Sequence, residues 1–187
     1  MGWLERLDVS TETGDLFDAD AEGVVITIKT SLTAYGKISR TLFERSGDKL
    51  QADLRTAALR YGPERLTIGK SLSVVARPEY GLKHAQCLIF VAMWSEESPY
   101  TMNLGFSCYA SALREAFCLG LTSLALPIFT MGRGQRGAIM TDEAIVRLLT
   151  EFDGLRTADT FPVERMLFVS INSEQVERLR LFLRKEL

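Results

Sequence analysis

Leu124-Ala125-Leu126-Pro127-Ile128-Phe129-Thr130-Met131-Gly132-Arg133-Gly134-Gln135-Arg136-Gly137 begins as an apolar run and ends as a loop holding three glycines. Beyond it, between Ala138 and Phe152, the residues Ile139, Ala144, Ile145, Leu148, Leu149 and Phe152 recur close to the spacing of one helical face. The stretch reads as strand, loop, helix. A glycine-rich loop feeding a helix turns bare backbone N–H groups toward an anion, and the helix dipole adds a favourable field there. Residues Thr130 to Gly137 are therefore a candidate phosphate cradle.

Working outward, the same alternation recurs. Cys87-Leu88-Ile89-Phe90-Val91-Ala92-Met93-Trp94 has the composition of a core strand. Ser98 to Leu119 repeats Leu104, Cys108, Ser111, Ala112, Glu115 and Cys118 at three and four residues, which predicts a long helix closed by Gly120. Thr122 to Leu126 is the strand that enters the loop. On the C-terminal side, Arg165 to Ile171 predicts a strand and Asn172 or Ser173 an N-cap. Glu174 to Leu187 predicts a helix with Val176, Leu179 and Leu183 on one stripe and Arg184 and Lys185 in its last turns.

Toward the N-terminus, Val24-Val25-Ile26-Thr27-Ile28 is β-branched throughout and predicts a central strand covered on both faces. A polar segment, Lys29 to Tyr35, then leads through Gly36 into a helix that Gly47 ends. A second helix runs from Asp48 to Tyr61 and stops at Gly62-Pro63. Leu66 to Ile68 and Leu72 to Ala76 predict short strands, and Trp3 to Val9 an edge strand before a turn at Thr11 to Asp15. Asp153 to Pro162 reads as a surface connection. The expected fold class is α/β, one domain of 187 residues with a mostly parallel sheet covered on both faces.

Apolar residues make up 47% of the chain and charged residues 25%, ordinary globular proportions. With 22 basic and 24 acidic side chains the net charge is -2, so no global field draws the chain to nucleic acid or to an anionic membrane. Any nucleotide must be bound locally. Cys87, Cys108 and Cys118 fall in apolar or helical stretches and read as buried free thiols, and the single His84 does not complete a zinc set with them. Neither a metal nor a cofactor is expected. No apolar run has the length of a spanning helix, the N-terminus lacks the pattern of a secretory leader, and the expected location is the cytoplasm.

Four landmarks, taken in order and spacing, resemble the macrodomain family: Gly14-Asp15-Leu16 after the first strand, Gly36 through Gly47 after the second, Ser123-Leu124-Ala125-Leu126-Pro127 leading into Thr130-Met131-Gly132, and a final strand and helix. The resemblance covers nearly the entire chain. Its most specific piece, Ser123 to Gly132, is similar to the family's Ser-Ile-Ala-Phe-Pro followed by a Ser-x-Gly phosphate loop. It implies a three-layer α/β/α sandwich with a mixed sheet that binds ADP-ribose or a related nucleotide, free or linked to protein. Asp15 then matches the acid that accepts from the adenine amino group, and Leu16 the neighbour whose backbone meets the base. Thr130, Met131, Gly132, Arg133 and Gly134 fall on the loop that wraps the diphosphate and distal ribose. Arg133 and Arg136 are cations that the usual loop lacks.

The chain also departs from the family. Members that hydrolyse ADP-ribosyl groups usually carry Asn-Ala-Ala-Asn, a run of glycines and an acid after the second strand. Here Thr27 and Thr30 stand for the asparagines, Gly36, Lys37 and Ile38 for the glycine run, and Ser39 for the acid. A hydroxyl with one rotating donor replaces an amide only in part, and no carboxylate at Ser39 activates water. Another hydrolase branch uses a lysine nucleophile, but neither Lys29 nor Lys37 matches its position. Ile171 and Asn172 occupy the place of an aromatic residue that stacks on adenine, so weak or altered adenine recognition is expected. His84 reads as a surface residue and Trp94 as a rim or packed aromatic. The expected function is a nucleotide-binding module without hydrolytic activity. The alternatives are an ADP-ribosyl hydrolase or deacetylase with a rearranged site, and an interaction scaffold with an empty pocket.

Overall fold

A computed structural model describes residues 3–60, 66–95, 102–129, 134–153 and 161–187. Its elements in chain order are α1 (Trp3–Arg6), β1 (Asp8–Thr13), β2 (Gly23–Lys29), α2 (Gly36–Leu59), β3 (Ser71–Val75), β4 (Cys87–Trp94), α3 (Met102–Leu119), β5 (Ser123–Pro127), α4 (Gly134–Asp153), β6 (Arg165–Ser170) and α5 (Ser173–Glu186). Short 3-10 turns lie at Leu16–Asp18 and Pro78–Tyr80. Six strands form one sheet in the order β1-β6-β5-β2-β4-β3. Every pairing is parallel except β3 with β4, so the sheet is mostly parallel, as the sequence pattern predicts, and mixed, as the family resemblance implies.

The two faces of the sheet follow from strand alternation. Val25, Ile89, Val91, Leu124, Leu126, Met166 and Phe168 point to one side and pack with apolar residues of α3, α4 and α5, among them Tyr109, Leu148 and Leu179. Val24, Ile26, Ile28, Leu88, Phe90 and Ala125 point to the other and pack with Leu42, Leu50 and Leu54 of α2 and with Leu16 and Phe17. This is a three-layer α/β/α sandwich. The long apolar runs in β2, β4 and β5 are long because both of their faces are covered.

Several expectations are refined. The strand expected at Trp3 to Val9 begins only at Asp8, after one helical turn whose Leu4 N–H donates to Asp153 at 2.6 Å. It then continues to Thr13, because the ladder from Asp8↔Arg165 to Thr13↔Ser170 carries it through the segment read as a turn. Leu66 to Ile68 forms no strand. Its Leu66 N–H bonds to the Thr30 carbonyl at 3.0 Å, and a turn through Gly69 delivers the chain to β3. The helix after Gly36 and the one after Asp48 are both present within α2 and meet, as expected, at a kink at Gly47, whose φ of 57° and ψ of -146° lie outside the helical region. Gly134 to Gly137 belong to α4 rather than to the loop, so α4 starts four residues before Ala138. Of the three thiols, Cys87 and Cys108 are buried, whereas Cys118, expected to be buried, is exposed. Among the described residues no helix is long and apolar enough to cross a membrane, and no group of three or more His, Cys, Asp or Glu side chains is placed to hold a metal.

Candidate functional site

The C-terminal ends of the parallel strands bound a cleft of about 790 Å³. It begins after β1, at Gly14, Asp15 and Leu16, crosses Ser170 and Ile171 after β6 and Pro127 to Phe129 after β5, and ends beyond β2 at Lys29 and the first turn of α2. From β1 to β2 is three strand spacings, roughly 14 Å at about 4.8 Å each. At β5 and β2 the chain turns to opposite sides, α4 covering one face and α2 the other. Such a switch point leaves a crevice at the carboxyl ends of the strands, where open α/β sheets bind ligands.

Of the expected site residues, Asp15, Leu16, Thr27, Gly36, Lys37, Ile38, Ile171 and Asn172 line this cleft together. Asp15 caps the Leu16–Asp18 turn, its Oδ1 accepting from Phe17 N–H at 3.1 Å. The turn role and the site role therefore coexist, because the carboxylate is exposed and its other oxygen has no protein partner among the described residues. Gly36 opens α2 with a φ of 83°, in the left-handed region that a side chain would strain. Ile171 is 70% exposed, which gives the cleft an aliphatic lip at the position read as an aromatic platform.

Thr30 and Ser39 do not line it. The backbone of Thr30 is bonded on both sides, its N–H to Trp94 O and its carbonyl to Leu66 N–H, each at 3.0 Å, which fixes the chain past the end of β2. Ser39 is fully buried. Its hydroxyl accepts from the Tyr35 N–H at 2.6 Å and donates to the Tyr35 carbonyl, so the side chain clamps the start of α2 rather than facing a ligand. Gly134 is the first residue of α4. Thr130, Met131, Gly132 and Arg133 lie outside the described residues.

The root of their loop is held firmly. Tyr109 is fully buried in α3, and its hydroxyl accepts from Phe129 N–H at 3.0 Å and donates to Pro127 O at 3.2 Å. Its ring stacks on Phe129, with centroids 4.1 Å apart. Thr141 of α4 donates its hydroxyl to Phe129 O at 2.5 Å. Burial pushes the Tyr109 phenol well above its usual pKa, so it stays protonated and able to donate.

Other lining residues were less visible in sequence. Lys29 sits with its ammonium 4.7 Å from the centroid of Trp94, and Trp94 stacks on Tyr35 at 6.2 Å. Trp94 thus supports the rim from behind. Arg40 and Thr41 enter from the next turn of α2, Met93 from β4, and Ser170 and Gln175 from the β6–α5 junction. Gln175 lies in the first turn of α5 and Arg40 at the start of the second turn of α2, and each of these helices follows a strand whose C-terminal end borders the cleft. Among the described residues the lining therefore holds three cations, Lys29, Lys37 and Arg40, against one carboxylate, Asp15. A chain with net charge -2 has a locally positive cleft.

No protein-family model matches the chain, and no curated protein matches it in sequence. Solved structures do match its fold. A Trypanosoma brucei macrodomain in complex with ADP superposes with a TM-score of 0.70 at 15% identity, over 97% of this chain and 70% of that one. A mutant Oceanobacillus iheyensis macrodomain with ADPR gives 0.68 at 18% identity, over 95% and 90%. The macro domain of ganglioside induced differentiation associated protein 2 gives 0.67 at 18%, over 96% and 90%. At these identities the likeness establishes the fold.

Proposed function

We propose that this chain, which has the macrodomain fold, is a binding module for ADP-ribose or a related NAD-derived nucleotide and does not hydrolyse it. The carrying observation is the cleft across the strand ends, with a carboxylate acceptor at one end and three cations toward the other. Its volume of about 790 Å³ falls within the ~300–1,000 Å³ of ligand sites. Its length suits an extended molecule with a base at one end and a diphosphate along the middle. The ADP and ADPR in the structures that share the fold support the same reading.

In that reading Asp15 accepts from the adenine amine, and the backbone of Leu16 and the loop rooted at Phe129 meet the base and the phosphates. Lys29, Lys37 and Arg40 attract the anion. Arg or Lys pairing with phosphate is charge-assisted and stronger than a neutral hydrogen bond. The absence of hydrolysis rests on the carboxylates. Asp15 is the one acid in the lining among the described residues, and it stands at the opposite end from α2. Ser39, at the position of the family's acid, is buried and bonded to Tyr35.

Calorimetry with ADP-ribose, ADP and NAD tests the binding. Heat and a rise in melting temperature are expected, since a ligand of the native state stabilises by RT ln(1 + [L]/Kd). No heat with any of the three at high protein concentration rejects the proposal. A gel assay on mono-ADP-ribosylated protein tests the second part, and turnover there would reject it.

A further inference from the structure

The first turn of α5 leaves the side-chain N–H donors of Gln175 open in the cleft that Asp15 also lines. Asn172 is the N-cap, its Oδ1 accepting from the N–H groups of Glu174 at 3.0 Å and Gln175 at 3.3 Å. A glutamine three residues past an N-cap ordinarily folds back and accepts from the N-cap N–H. Here that N–H donates to Ser170 Oγ at 3.1 Å. The same hydroxyl gives its proton to Gln175 Oε1 at 2.8 Å. Ser170 therefore takes over the capping bond and holds Gln175 by its carbonyl oxygen. The Gln175 Nε2 amine, with two N–H donors, has no protein partner among the described residues.

This amine belongs to the cleft. Gln175 lines it together with Asp15, and the Gly14 N–H donates to Ser170 O at 3.1 Å, which sets the two strand ends side by side. The cleft thus holds one open carboxylate oxygen and one open amide N–H, an acceptor and a donor. Adenine presents the complement, an exocyclic amine flanked by the ring nitrogens N1 and N7. On the reading that the cleft takes an adenine nucleotide, we infer that Gln175 reads the base, donating to a ring nitrogen beside the amine that Asp15 accepts. Ser170 is its positioning residue. The site thus selects adenine by hydrogen bonds at a place where Ile171 offers no aromatic platform.

The test is calorimetry with ADP, 1-deaza-ADP and 7-deaza-ADP on the wild type and on Gln175→Ala, Gln175→Glu, Ser170→Ala and Ser170→Thr. Losing one such bond is expected to weaken ADP about 3- to 10-fold in both Gln175 variants. The deaza analogue that lacks the contacted nitrogen should bind the wild type equally weakly and lose nothing further in Gln175→Ala. Ser170→Ala should share the pattern and Ser170→Thr restore it. A purely structural role would weaken all three ligands alike in the variants, and that outcome overturns the inference while leaving the binding reading intact. A wild type that binds none of the three overturns the binding reading itself.

Discussion

The hydroxyl of Tyr109 accepts the backbone N–H of Phe129 at 3.0 Å, in a place from which water is excluded. Tyr109→Phe leaves that N–H without its acceptor, and the cost of an unsatisfied buried donor is about 1–3 kcal/mol. Urea denaturation should show a loss of that size. ADP-ribose affinity should fall as well, because Pro127 to Phe129, which line the cleft, lose an anchor. Unchanged stability would mean that Phe129 N–H has a second acceptor.

Ser39 gives a different outcome from the one a catalytic position would give. Ser39→Ala removes the clamp on Tyr35 at the start of α2, a cap-like loss of about 0.5–2 kcal/mol. Ser39→Asp places a carboxylate at a fully buried site and should destabilise more. Neither change should alter turnover of ADP-ribosylated protein. A gain of hydrolysis in Ser39→Asp would show that this side chain reaches the cleft.

The two ends of the cleft should separate in their response to salt. Asp15→Ala removes an acceptor for a neutral amine and should weaken ADP-ribose about 10-fold at high salt, and less at low salt, where losing a negative charge near the anion offsets part of the loss. Lys37→Met removes an exposed cation, so its effect should be largest at low salt and fade as the Debye length shrinks toward about 8 Å. Titrations at two salt concentrations check both.

Stability should fall at both extremes of pH through one cluster. Arg77 donates to both Asp53 oxygens, at 2.6 and 2.9 Å, and Tyr80 donates to Asp53 at 2.6 Å. The hydrogen bonds from Arg77 and then Tyr80 hold the Asp53 carboxyl below its usual pKa. Its stabilisation is therefore present above the unfolded value and lost as pH falls through the depressed one. Burial, then the bond to Asp53, pushes the Tyr80 phenol up to about 12. Its contribution is full below pH 10 and disappears as pH rises to about 12. Thermal melts across pH should show both slopes, and Asp53→Asn should flatten the acid one.

Thiol chemistry should distinguish the cysteines. Burial pushes Cys87 up to about 11 and Cys108 up to about 12, so neither supplies thiolate at neutral pH. Cys118 is exposed. An aromatic disulfide reagent should label one thiol in the native protein and three after denaturation. Fast labelling of more than one under native conditions would contradict the burial of Cys87 and Cys108.

The core strands were legible because covering both faces of a strand demands an unbroken apolar run, as in Val24 to Ile28 and Cys87 to Trp94. Gly47 was legible because a helix must stop or bend where φ turns positive. The start of β1 was not, since Asp8 to Thr13 is polar and extended only because β6 pairs with it. Cys118 was misread because a helical repeat of three and four residues does not say where the stripe leaves the core near a helix end. In the cleft, Asp15 and Lys37 lie in segments that marked themselves by glycines. Gln175 did not, since its role depends on Ser170 taking a bond that helix-capping rules would assign to Gln175 itself.

The distribution of charge around the cleft also determines what size of anion is welcome. Among the described residues, three cations and one carboxylate give the lining two net positive charges, while the whole chain stands at -2. The residues outside that described lining thus carry four net negative charges in sum. A single nucleotide that sinks across the strand ends meets mainly the positive lining. A nucleic-acid strand, with a phosphate at every residue, must extend beyond the rim and meet the opposite field. On the proposed reading, this distribution of charge favours a small dianion over a polymer.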